Sequence, residues 1–87
     1  MKTKLSKLLD HYRAFIDNDA YEEIMHYYTH DEYEMALEGF IIEIISSKVS
    51  INETEKTEII DLAKYYRLDT ESVFDASIWD KFMRWIK

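Results

Sequence analysis

The chain has 87 residues, no cysteine, no proline, a single glycine and a formal net charge of −7. That length supports one domain, residues 1–87, which buries only roughly 60–65% of the surface its unfolded chain exposes. The missing cysteines exclude a disulfide framework and a thiolate metal site, and the scarcity of Gly and Pro turn signals excludes an ordinary all-β fold.

Helical periodicity runs through almost the whole chain. Leu5, Leu8, Leu9, Tyr12, Phe15 and Ile16 form an apolar stripe on a first helix, with Lys4, Lys7 and Arg13 turned away. Asp17-Asn18-Asp19 is a break rich in capping residues. A second helix follows, with Tyr21, Ile24, Met25 and Tyr28 inward and Glu22, Glu23 and His26 outward. Thr29-His30-Asp31 breaks the pattern again. The third helix, about residues 31 to 47, has Tyr33, Ala36, Leu37, Phe40, Ile41 and Ile44 on its main core face. Met35, Ile42 and Ile45 fall near its opposite side, and a helix apolar almost all round is central to its bundle. Gly39 weakens that helix by about 1 kcal/mol relative to alanine, which points to close approach of a neighbour.

Asn52, followed by Glu55, has the spacing of a capping box for a fourth helix, with Ile59, Leu62, Ala63 and Tyr66 inward. Leu68 to Ser72 is a turn. Asp75 to Trp85 makes a last helix, with Ile78, Phe82 and Trp85 inward and Trp79 on the flank. The aromatic segment from Trp79 to Ile86 has balanced charge, so core is a better reading than a membrane-surface helix. The expected fold is all-α, a compact antiparallel bundle of four to five short helices.

Charge is distributed unevenly. Residues 1–13 carry four bases and one acid, residues 14–47 nine acids and no Lys or Arg, and residues 48–87 seven bases and eight acids. A contiguous acidic block repels phosphate backbones and anionic membranes and attracts cationic surfaces. Neither a nucleic acid nor a membrane is an expected partner. Met1-Lys2-Thr3-Lys4 lacks the apolar run of a signal peptide, so a cytoplasmic location is expected.

Catalytic chemistry has little to work with. There is no Gly-x-Ser-x-Gly elbow and no glycine-rich phosphate loop. Paired carboxylates abound, but nothing in the pattern raises the pKa of one member. Glu22, His26 and His30 share a helical spacing, and Glu23-x-x-His26 matches one half of a di-iron motif. The second half and the inward glutamates are missing. An enzyme, a metal and a cofactor are therefore not expected.

Tyrosines interleaved with acids form the more informative constellation. Tyr and Trp give large contact areas at low entropic cost, and surrounding acids steer a cationic partner. The candidate partner-binding residues are Asp19, Glu23, Tyr27, Asp31, Glu32, Tyr33, Glu34 and Glu38. In this reading Glu34 and Glu38 are exposed rim charges, Tyr27 and Tyr33 are anchors, and Asp31 and Glu32 also favour the positive end of the third helix.

From Thr29 to Trp79 the chain resembles the small helical immunity proteins that accompany polymorphic bacterial toxins, notably the Maf-type immunity proteins and those of contact-dependent growth inhibition. The stretches "HDEYEMALEGF" and "VSINETEKTEIIDLAKYYRLD" carry the resemblance. It implies a protein that binds the C-terminal toxin domain of a neighbouring gene and neutralises it. A basic nuclease would complement the acidic block, covered at its substrate groove or at an adjacent exosite. The competing expectation is a small acidic adaptor that binds a basic protein surface such as a DNA-binding domain.

Overall fold

A computed structural model describes residues 2–71 and 74–86. It contains helices α1 (Lys2–Tyr12), α2 (Asn18–Thr29), α3 (Tyr33–Ser46), α4 (Glu53–Tyr65) and α5 (Ile78–Trp85), with a short 3-10 turn, Arg13–Phe15, after α1. The described residues contain no strand, so the all-α bundle expected from periodicity is the observed class. The Cα radius of gyration is 11.5 Å, close to the roughly 12 Å of a compact chain this long.

Helix α3 is the hub, touching each of the other four helices. Ala36, Leu37, Phe40, Ile41 and Ile44 are all buried along it. Leu5, Leu8, Leu9 and Tyr12 of α1, Ile24 of α2, Ile59, Leu62 and Ala63 of α4, and Ile78 and Phe82 of α5 close round it. Each such side chain contributes roughly 1.5–3 kcal/mol relative to exposure. The burial of Ile78 and Phe82 makes the C-terminal helix part of the core. Tyr66, Trp79 and Trp85 pack half-buried at its margin.

Phe15 departs from the expected stripe. The 3-10 turn after Tyr12 breaks the 3.6-residue spacing, and Phe15 swings out to 58% exposure while Ile16 stays buried. The breaks fall where cap chemistry places them. Asp17 caps α2 by accepting from the backbone N–H of Asp19 and Ala20, and Asn52 caps α4 by accepting from Glu55 N–H at 2.8 Å. Only half of the capping box forms, because the Glu55 side chain turns to α1 and accepts from Tyr12 Oη at 2.5 Å and from His11 Nδ1. Ser72, the last residue of the expected turn, lies outside the described residues.

Three helices leave through a left-handed residue: Asp31 (φ 60°) after α2, Lys48 (φ 53°) after α3 and Arg67 (φ 65°) after α4. In each case the following residue bonds back to the carbonyl five positions earlier: Glu32 to Tyr27, Val49 to Ile44 and Leu68 to Ala63. These are Schellman-type exits built without glycine. The one glycine sits instead inside α3, where a Cβ on Gly39 would lie 3.4 Å from Ile24 Cγ1. The expected close approach of α2 is present, with room left for a methyl.

Candidate functional site

The charge pattern of α2 and α3 places acids around the seam where these helices pack. Asp19 lies exposed in the first turn of α2, where a carboxylate complements the positive helix end. One turn on, Glu23 is exposed and accepts from Tyr27 Oη at 3.2 Å. Tyr27 is half-buried, and its phenol is held above the usual tyrosine value by desolvation first and by the Glu23 bond second. Opposite, α3 presents Gly39, Ile42 and a half-buried Glu43. Together with Ala20, Ile24 and Phe74 these residues line a groove of about 190 Å³. Phe74, 46% exposed, closes one wall with its ring centroid 5.6 Å from that of Tyr27.

Glu38 is not a rim charge. It is fully buried on α3, and its Oε2 accepts from the backbone N–H of Phe74 at 2.7 Å and of Asp75 at 2.8 Å. The expectation of an exposed acid fails because Glu38 belongs to the second apolar stripe of α3, with Met35, Ile42 and Ile45, and the chain leading into α5 covers that stripe. A buried carboxylate needs strong donors, and two main-chain amides supply them. The bond fixes the segment that carries Phe74.

Asp31, Glu32, Tyr33 and Glu34 cluster at the turn between α2 and α3 in a different way from that expected. The third helix begins at Tyr33, so Asp31 precedes it and serves as the left-handed exit of α2. Glu32 occupies the cap position without a side-chain cap bond, and Glu34 is the acid of the first turn. Tyr33 donates to Asp31 Oδ1 at 2.7 Å, a bond that heads the causes raising its pKa. Its ring packs on Tyr28 and Tyr66, with the Lys2 ammonium 5.8 Å from its centroid. The two expected anchors therefore lie in separate ring groups, Tyr27 with Phe74 and Tyr33 with Tyr28 and Tyr66. The base-free block of the sequence also acquires bases in space: Lys2 over Tyr33, and Arg13 at 5.1 Å over Tyr21.

Among the described residues no ion pair joins a base to an acid of α2 or α3. The ion pairs among the described residues join His11 to Glu55, Lys56 to Glu53 and Lys81 to Asp75. Asp19, Glu22, Glu23, Glu34 and Glu43 have no basic partner there. Among the described residues no group of three or more His, Asp or Glu is arranged to hold a metal. His30 Nδ1 instead lies 2.8 Å from the His26 carbonyl, and the two rings lie 4.3 Å apart. No helix of the described residues is long and apolar enough to cross a membrane.

A second, wider cavity of about 710 Å³ lies between α1 and the start of α4, and it holds a cluster absent from the sequence reading. Glu55 accepts there from His11, Tyr12 and Asn52, and burial followed by the Glu55 bond drives the Tyr12 phenol far above its usual pKa. A carboxylate engaged by three donors serves as a clamp between helices. His11 and Glu55 are 44 residues apart, so no local spacing announces the contact. Phe74 and Glu43 were also missed, although an acid flanked by Ile42 and Ile44 was a usable signal for a carboxylate beside an apolar seam. No family model, no curated protein and no solved structure matches this chain, and the site's own chemistry carries the functional reading.

Proposed function

We propose that this protein is a non-catalytic binding module, an immunity protein that engages the basic surface of a cognate toxin domain through the α2–α3 face. The observation that carries this reading is the set of carboxylates on α2 and α3 without basic partners among the described residues, Asp19, Glu22, Glu23, Glu34 and Glu43, of which Glu23 and Glu43 line an aromatic-walled groove. Unneutralised acids steer a cationic surface into encounter, and half-buried aromatics give the contact area that holds it. The resemblance between Thr29 and Trp79 favours a toxin domain as that surface. A nuclease is the basic protein whose groove such an acidic face complements, and the same field repels the nucleic acid itself. The protein acts in this reading in the cytoplasm of the producing cell.

The test uses Glu22→Lys/Glu34→Lys, two exposed positions outside the groove. Association with a cognate basic toxin domain should slow by about tenfold or more and lose most of its salt dependence. Cells carrying the toxin should lose protection. A folded double variant that protects fully at native expression refutes the acidic face as the contact. Binding to a DNA-binding domain with no protection against any toxin moves the assignment to the adaptor.

A further inference from the structure

Resting on the reading of this face as a surface for a basic protein, we infer that the groove between α2 and α3 is an anchor pocket for one arginine side chain of the partner. Its size excludes larger occupants. At about 190 Å³ it lies below the roughly 300 Å³ at which small-molecule sites begin, so it takes a single side chain. Its walls select among side chains. The Tyr27 and Phe74 rings pack against each other, centroids 5.6 Å apart at 42°, as one aromatic wall, and Gly39 leaves the floor beside it without a side chain. A planar guanidinium stacks on such ring faces, whereas a compact ammonium keeps its water.

The rim selects for charge. Glu23 rises from α2 and Glu43 from α3, and neither has a basic partner among the described residues. An apolar occupant would desolvate both carboxylates with nothing in return. Guanidinium carries five donors in a fixed fork, enough to serve two carboxylates while it stacks on the aromatic wall. Glu38 is the positioning residue of the pocket: through the backbone of residues 74–75 it holds the Phe74 wall in place before the partner arrives. Gly39 sets the depth, because a Cβ there already comes within 3.4 Å of Ile24, and any side chain longer than alanine fills the floor.

The test is a titration of the isotopically labelled protein with N-acetyl-argininamide, N-acetyl-lysinamide and N-acetyl-norleucinamide, followed by amide NMR. Gly39 is the one glycine in the chain, so its signal is a reporter at the floor of the groove. The arginine probe should move the Gly39, Ala20 and Ile42 signals saturably, with the millimolar dissociation constant usual for so small a molecule. Glu23→Gln/Glu43→Gln, which keeps the shape, should fold as the parent does and bind the arginine probe at least about tenfold more weakly. Equal shifts with norleucinamide would show an apolar pocket, and equal or tighter binding of lysinamide would show a charge site without stacking. Either result overturns the inference, as does an unmoved Gly39 signal or undiminished binding to the double glutamine variant. The two proposals separate cleanly. If Glu22→Lys/Glu34→Lys abolishes protection while the glutamine variant protects fully, the groove inference falls and the acidic face stands. If the arginine probe binds as described and no basic protein is bound, the pocket stands and the immunity function falls.

Discussion

Replacing Glu38 tests whether a buried carboxylate holds the chain ahead of α5. Its Oε2 receives two main-chain N–H bonds of 2.7 and 2.8 Å. Charge-assisted bonds contribute roughly 1.5–3 kcal/mol each, so about 3–6 kcal/mol of interaction is lost in Glu38→Ala. Two terms reduce that figure. The exposed Phe74 side chain leaves its neighbouring backbone open to water once the carboxylate is gone, and the variant no longer desolvates a charge. A net loss of about 2–4 kcal/mol remains, equivalent to about 10–30 °C in Tm for a domain this small. Glu38→Gln keeps an acceptor of the same shape without the charge and should lose about 1–2 kcal/mol. Urea denaturation followed by circular dichroism gives the ranking parent, Gln, Ala, and hydrogen exchange at the Phe74 and Asp75 amides should accelerate in the same order. Glu34→Ala, one turn earlier and exposed, is the control and should stay within about 0.5 kcal/mol of the parent. A Glu38→Ala midpoint indistinguishable from that of Glu34→Ala refutes the reasoning.

The core, the helix exits and the acid response give further tests. Phe40 is fully buried with its ring 5.7 Å from that of Tyr12, so Phe40→Ala should lose about 3–5 kcal/mol in urea melts, and an unchanged midpoint would displace it from the core. Gly39→Ala should raise the stability of α3 by up to about 1 kcal/mol, since its Cβ meets Ile24 at an ordinary 3.4 Å; a lower Tm would mean that the seam cannot take a methyl. Lys48→Gly and Arg67→Gly remove a side chain from a left-handed position and should each add about 0.5–1 kcal/mol, read as a higher urea midpoint; a fall in both would remove backbone strain from the account of these exits. The Lys81 ammonium at 2.7 Å and the Ser77 hydroxyl and N–H hold the Asp75 carboxyl down at about 2, against 3.8 when unfolded. With the folded value the lower one, the contribution is complete above about pH 4 and disappears as pH falls towards 2. Urea midpoints at pH 5, 3 and 2 should therefore decline less in Asp75→Asn, and an identical decline would clear this residue of the effect.

Most of the fold was legible because it rests on local rules. Leu5, Leu8 and Leu9 mark their face by spacing alone, Asp17 and Asn52 act within three residues of themselves, and the all-round apolarity of α3 announced the hub. The site was legible only where its chemistry is local, as in Glu23 and Tyr27 one turn apart on α2. What escaped depends on distant partners. Glu38 meets main-chain amides 36 and 37 residues away, and an acid in a helix reads as solvated until its cover is known. Lys2 folds onto Tyr33 from the opposite end of the charge map, so summing charge along the chain overstated the separation of acid from base. Phe15 was misplaced by a change of helix pitch, which periodicity cannot register.

The strap from Glu38 grips Phe74 by its amide and leaves its side chain alone. Any residue except proline can offer that same amide, so position 74 is free to drift in size, charge and shape while the loop stays moored. The side chain at this protruding position can therefore be exchanged with no repacking of the interior.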